Sequence, residues 1–128
     1  MSTESTVQLG ELQLAIMKVL WERQEAAVTE VHAALAERDL ALTTISTMLV
    51  KMEHRGLCAH RAEGRKFLYR PLLSENQVQR SMVGDLKDRL FRGDVTALVS
   101  HLLAEHDVSI AELAQLKALI AAQEESDE

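Results

Sequence analysis

The hydrophobic period of this chain changes at Gly56, and that change limits what it can build. Before it, in TTISTMLVKMEHRGL (residues 43–57), Ile45, Met48, Leu49 and Met52 recur at i, i+3, i+4 and i+7, the spacing of one helix face. After it, LCAHRAEGRKFLYRPL alternates, which puts Phe67 and Tyr69 on one face of a strand and Lys66, Leu68 and Arg70 on the other. Glu63-Gly64 interrupts the alternation, predicting a β-hairpin whose turn covers Ala62 to Arg65, and Pro71 ends its second strand. Gly56 itself is the residue expected at the left-handed C-terminal cap of the preceding helix.

Upstream, Leu12, Ala15, Ile16, Val19 and Leu20 predict a first helix from about Glu11 to Arg23, with Trp21 as core or an interhelical wedge. Thr29 is a candidate N-cap for a short second helix whose inner face includes Val31 and Leu35. Downstream, SENQ at Ser74 and SIAE at Ser109 read as capping boxes, and Asp94 as a single cap. They open three amphipathic helices: Val78, Met82, Val83, Leu86 and Leu90, ending near Gly93; Val95, Leu98, Val99, Leu102 and Leu103; and Ile110, Leu113, Leu116, Leu119 and Ile120. The terminal EESDE reads as a frayed acidic tail.

The fold class expected is therefore mainly α with a small β-hairpin. Three helices and a hairpin make a winged helix-turn-helix domain (residues 1–73), and a three-helix dimerisation domain with a short acidic tail (74–128) follows. The last three helices are too few to bury all their apolar faces within one monomer. A chain with one proline, five glycines and four aromatic residues leaves little room for a many-turned all-β alternative. Its single cysteine excludes an internal disulfide and any multi-cysteine zinc site. Met1 to Gln8 lacks the basic start of a signal peptide, and no apolar run approaches the ~20 residues that cross a bilayer, so a cytoplasmic location is expected.

A formal net charge of -6 argues against a polyanionic partner until its distribution is counted. Residues 1–39 carry -4 and residues 71–128 carry -6, whereas residues 40–70 carry +4. The positive excess thus coincides with the third helix and the hairpin, as a nucleic-acid-binding surface requires. At about 100° per residue the apolar stripe of the third helix leaves Thr43, Thr47, Val50 and His54 opposite the core. Thr44 and Lys51 flank that face on one side and Ser46 on the other. Hydroxyls at the amino end suit base edges in a major groove, a Thr methyl or Val50 suits a thymine methyl, and Lys51 suits a phosphate. Arg61, Arg65 and Lys66 on the hairpin are candidates for the flanking phosphates. The DNA-binding set expected is Thr43, Thr44, Ser46, Thr47, Val50, Lys51, Arg61, Arg65 and Lys66.

Three segments carry a resemblance to a known family: LGELQLAIMKVLWE, TTISTMLVKMEHRGLCAHRAEGRKFLYRPLL and ALVSHLLAEHDVSIAELAQLKALI. Together, from Leu9 to Ile120, they resemble the penicillinase repressors (BlaI/MecI), to which copper-responsive CopY-type repressors are related. The LW end of the first helix, the TI-x-T of the third and the EGR-x-F-x-Y-x-P hairpin are the most specific parts. The resemblance implies a homodimeric winged-helix transcriptional repressor on palindromic double-stranded DNA operators, of the antibiotic-resistance type. It puts Thr43, Thr44 and Thr47 at base-reading positions and Lys51 at a backbone-contacting one. It also implies a dimer through the last three helices, which gives Leu86, Leu90, Val95, Leu98, Val99, Leu102, Leu103, Leu113, Leu116 and Ile120 as dimerisation residues. Two departures matter. Position 43, often lysine in these repressors, is threonine here. The Asn-Phe bond cut by the membrane sensor protease that induces them is replaced by His101-Leu102, so that partner does not carry over.

Other chemistry is sparse. Cys58 reads as a small buried residue rather than a redox switch. His101 and Glu105 share a helix face near His106 and Asp107, which raises a metal sensor as an alternative, though no metal site or cofactor is expected. His54 and His60 read as neutral surface contacts. Neither a phosphate loop nor a nucleophile elbow is present, so the chain is not expected to be an enzyme. The remaining alternatives are a regulator that senses a small molecule, and a winged helix used only for protein contacts.

Overall fold

The computed structural model describes residues 7–126; Met1 to Thr6 and the last two residues of the acidic tail lie outside the described residues. The elements in order are α1 (Glu11–Arg23), β1 (Ala26–Ala27), α2 (Val28–Ala34), a 3-10 turn (Ala36–Arg38) and α3 (Leu42–His54). Then come β2 (Cys58–Glu63), β3 (Lys66–Pro71), α4 (Glu75–Asp85), a π turn (Leu86–Leu90), α5 (Val95–Glu105) and α6 (Ile110–Ser126). The chain divides into two compact units between Asp85 and Leu86, so α4, whose cap at Ser74 is where the sequence suggests a domain boundary, goes with the first.

In the first unit the apolar stripes meet as their spacing predicts. Ile16, Met17 and Leu20 of α1, Val31 of α2, and Ile45, Leu49 and Met52 of α3 are fully buried in one cluster with Cys58 and Tyr69. The helix-to-strand switch is made by a Schellman motif. The Gly56 amide donates to Glu53 O at 2.9 Å and the Leu57 amide to Met52 O at 3.0 Å, with Gly56 at φ +80° and Leu57 buried. The chain therefore leaves α3 at an angle that only a residue without Cβ adopts cheaply.

The hairpin pairs antiparallel from Cys58↔Pro71 to Glu63↔Lys66, so the turn residues are Gly64 and Arg65, with Gly64 at φ +64°. Glycine as first central residue is what a tight two-residue hairpin demands. A third strand joins it. Ala26 and Ala27 pair with Tyr69 and Leu68, making the order β1-β3-β2 with β3 in the middle. One correction follows from this strand. Thr29 is not the N-cap of α2: Ala27 is, because strand pairing holds Ala26 and Ala27 extended, and Glu30 Oε1 accepts from the Ala27 amide at 2.7 Å. Leu68 and Tyr69, on opposite faces of β3, are both buried, whereas Lys66 and Arg70 on the Leu68 face are exposed.

The predicted caps of the later helices form as read. Ser74 Oγ accepts from the Gln77 amide while Gln77 Oε1 accepts from the Ser74 amide, at 3.0 and 2.7 Å. Ser109 and Glu112 repeat the box at 3.0 Å in both directions, and Asp94 Oδ1 accepts from the Ala97 amide at 2.9 Å. The helix expected to run unbroken to Gly93 instead widens into the π turn after Asp85, where the Phe91 amide reaches back to Leu86 O at 3.3 Å. α6 continues to Ser126, so Glu124 and Glu125 are helical rather than frayed.

In the second unit no described residue is buried. Leu90, Val95, Leu102, Ile110, Leu119 and Ile120 are all exposed, although they form the apolar stripes of amphipathic helices.

Candidate nucleic-acid interface

The buried stripe of α3 fixes which residues face out. With Ile45, Leu49 and Met52 fully enclosed, Thr43, Thr44, Thr47, Val50, Lys51 and His54 are exposed and Ser46 is half-buried. Thr43, Thr44, Thr47 and Lys51 line one shallow hollow with Met48 as its apolar floor. The threonines do not cap the helix. Its N-cap is Ala41, which has no side-chain acceptor to offer the first-turn amides, so that end of the helix is chemically open to an anion.

The sequence reading left out Leu42. It continues the spacing of Ile45 and Leu49 by one turn, yet it is 42 % exposed. With Val50, 45 % exposed, it adds apolar surface to the hydroxyl-rich face. That this side chain on the core stripe stays exposed is visible only in three dimensions.

Two ties hold the amino end of α3 in place. His32 Nε2 lies 2.7 Å from Leu40 O and, being opposite a carbonyl, donates its proton. Arg38 pairs through both Nη atoms with the Glu11 carboxylate at 2.7 and 2.8 Å, and this guanidinium holds the Glu11 carboxyl below its usual range. At the other end Arg55 is a structural cation, donating to Gln13 Oε1 at 2.7 Å and to Gln8 O at 2.6 Å.

On the hairpin the three expected cations separate into two kinds. Arg65 and Lys66 are exposed at the turn and form no ion pair among the described residues; neither does Lys51 on α3. Arg61 is already engaged. Its Nε and Nη2 donate to the two oxygens of Glu25 at 2.8 and 2.9 Å, and Nη2 lies 3.5 Å from Glu63 Oε1. The Arg61 guanidinium holds the Glu25 carboxyl below its usual range, with Arg70 adding to the effect, and Arg61 is raised in turn. Phe67, 50 % exposed, stacks on His60 with ring centroids 4.4 Å apart, and His60 Nδ1 meets Glu53 Oε1 at 2.6 Å. His60 is thus part of a wing-to-helix contact rather than a free surface imidazole.

The remaining candidates take structural places. Cys58 is enclosed, its thiol donates toward Leu49 O at 3.7 Å, and burial with the nearby Glu53 pushes its pKa from 9.0 up to about 11. A thiol so shifted carries almost no thiolate at neutral pH. His101 packs against Phe91 at 6.1 Å, and among the described residues no three His, Cys, Asp or Glu side chains converge on one point. Of the residues expected to support dimerisation, Leu86, Leu90, Val95, Val99, Leu102, Leu103, Leu113, Leu116 and Ile120 are exposed and Leu98 is half-buried. Val95, Val99, Leu103 and Ile120 line an apolar hollow between α5 and α6. No helix among the described residues is long and apolar enough to cross a membrane.

Comparison with known proteins agrees with this architecture. Residues 9–122 match the penicillinase repressor family. The penicillinase repressor of Bacillus licheniformis is 26 % identical over 114 residues, 88 % of this chain and 89 % of that protein. The transcriptional regulator BlaI of Mycobacterium tuberculosis is 35 % identical over 79 residues, 60 % of this chain and 57 % of that one. Among solved structures, the DNA-binding domain of the repressor BlaI superposes with a TM-score of 0.51 at 30 % identity, covering 59 % of this chain and 93 % of that domain. With a family match over nearly its whole length and a winged helix carrying an exposed, hydroxyl-rich third helix, the chain belongs to the penicillinase repressor family, a family of transcriptional repressors and not of enzymes.

Proposed function

We propose that this protein represses transcription as a homodimer on palindromic operator DNA. α3 would enter the major groove of each half-site, and the hairpin would grip the flanking phosphates. Residues 1–73 are assigned to DNA binding and residues 74–128 to dimerisation. The observation that carries the reading is a coincidence of position. The one segment with a positive balance, +4 over residues 40–70, also presents the exposed threonine face of α3 and the cations Lys51, Arg65 and Lys66, which form no ion pair among the described residues. Thr43, Thr44 and Thr47 would meet base edges, Leu42 and Val50 thymine methyls, Ser46 the edge of the groove, and the cations phosphate oxygens.

The dimer assignment rests on the second unit. Helices whose apolar faces stay exposed in one chain gain roughly 25 cal/mol for each Å² they remove from water, and a second copy is a partner always present. A two-fold axis would set the two recognition helices about one DNA turn apart, which is why a palindrome is expected. A repressor of this kind works in the cytoplasm, where the chromosome is. Induction by a membrane sensor protease is not part of the proposal, because His101-Leu102 stands where the cleaved bond would be.

The deciding experiment selects bound fragments from the source genome at physiological salt. Enrichment of an inverted repeat with half-sites one turn apart is the expected result. No enrichment over random DNA would give the fold to a protein-contact role instead.

A further inference from the structure

Arg61 is singular among the exposed cations of the wing and α3, because its charge is already spent. Arg65 and Lys66, four and five residues on, and Lys51 on α3 form no ion pair among the described residues. Arg61 instead presents Nε and Nη2 to both oxygens of Glu25 at 2.8 and 2.9 Å, with Glu63 as a third acceptor at 3.5 Å. That two-donor edge is the same one a guanidinium offers to two oxygens of a phosphate. Glu25 and a phosphate therefore compete for one set of hydrogen bonds.

The competition is weighted towards Glu25. Its side chain is 31 % exposed against 51 % for Arg61, so the carboxylate is the less solvated partner and loses more when the pair opens. It also comes from the turn between α1 and β1, which strand pairing of Ala26 with Tyr69 fixes against the wing. A phosphate that drew Arg61 away would leave the Glu25 carboxylate beside it with only the weaker pull of Arg70, and the two anions would repel.

We infer that Glu25 acts as an internal substitute for phosphate, removing Arg61 from the set of cations that hold DNA and so lowering the sequence-independent part of the affinity. The inference rests on the DNA-binding reading above and assigns opposite roles to two neighbouring wing arginines. Arg65 strengthens binding to any duplex, while Arg61 contributes little as long as Glu25 faces it. For a repressor the benefit is discrimination, because random genomic sequence competes with the operator through phosphate contacts alone.

The test measures binding of the full chain to a short duplex of random sequence across a salt series. E25Q keeps the side-chain size and removes the charge. It is expected to tighten binding several-fold and to steepen the plot of log K against log salt by about 0.9, the increment for one more neutralised phosphate. R65Q should lower both affinity and slope, because it removes a cation that no carboxylate faces among the described residues. E25Q combined with R61Q should return to wild type, which shows that the gain passes through Arg61. An E25Q protein that binds as wild type or more weakly overturns the inference, as does an E25Q/R61Q protein that keeps the full gain of E25Q. A wild type with no salt-dependent binding to duplex would remove the DNA reading itself, and this inference with it.

Discussion

The indole N–H of Trp21 donates to the carbonyl oxygen of Leu73 at 2.8 Å, joining the last turn of α1 to the residue before the capped Ser74. The bond ties α1 to the short segment between β3 and α4. Trp21 is half-buried there, its ring packed against the core cluster. Trp21→Phe retains an aromatic ring but leaves the half-buried Leu73 carbonyl without this donor. A loss of about 1–2 kcal/mol is expected, the usual effect of orphaning such a group. Urea unfolding followed by circular dichroism checks it, since the variant has no tryptophan left to report, and the midpoint should fall with the slope unchanged.

Within α3 stability and recognition should separate cleanly by face. Leu49 is fully enclosed, and Leu49→Ala is expected to cost about 2–5 kcal/mol through lost burial and the cavity left behind. Thr47, two residues earlier, is exposed over the hollow it shares with Thr43, Thr44 and Lys51. Thr47→Ala should change stability by no more than about 0.5 kcal/mol and shift sequence preference instead. Selection from a randomised operator, with thermal unfolding in parallel, reads both effects. An unchanged preference in a stable Thr47→Ala protein would displace that side chain from the groove.

What was legible in the sequence was what is local. The Gly56 cap needs only the end of a helical period, and the boxes at Ser74 and Ser109 join residues three apart, so each can be read from its own segment. The face of α3 follows likewise from four apolar residues. β1 could not be read this way. Two alanines carry no β preference, and they are extended only because the free edge of β3, more than forty positions away, takes them as a partner. The displaced cap of α2 descends from that one pairing. The engagement of Arg61 was hidden for the same reason: Glu25 is 36 residues away, and a count of charges does not say which are neutralised. The π turn after Asp85 is a subtler miss, since Leu86 and Leu90 keep a spacing of four whether the helix widens or not.

Exposed leucines and valines throughout the second unit make stability depend on protein concentration, if a second copy covers them. The expected outcome is a thermal midpoint that rises with concentration, because dimerisation favours the folded state by mass action. Val99→Asp places a charge on the exposed stripe of α5, beside Val95 and Leu103 in the hollow that Ile120 also lines. Sedimentation should then report a single-chain mass, and the concentration dependence should vanish. Binding to a palindromic duplex should weaken far more than binding to one half-site, since the linkage between two recognition helices is lost.

The buried thiol of Cys58 predicts an alkaline limit to stability. Its folded pKa of about 11 lies above the ordinary 9.0, because the enclosed site next to Leu49 O favours the neutral form and Glu53 opposes a second negative charge. The unfolded chain therefore releases this proton first. The contribution is fully present below pH 9.0 and is lost progressively as pH rises towards 11. Tyr69, whose pKa is also raised by burial, acts in the same direction, so the wild type alone does not isolate the thiol. Cys58→Ala removes the thiol and keeps Tyr69, whose own shift comes first from burial and then from Glu53, with Cys58 last. The difference in unfolding free energy between wild type and Cys58→Ala should be constant at neutral pH and shrink through the alkaline window. Alkylation gives the independent readout: iodoacetamide at pH 8 should modify Cys58 slowly in the native protein and rapidly in urea. Equal rates in both would mean that the thiol is open to solvent and that the alkaline loss has another source.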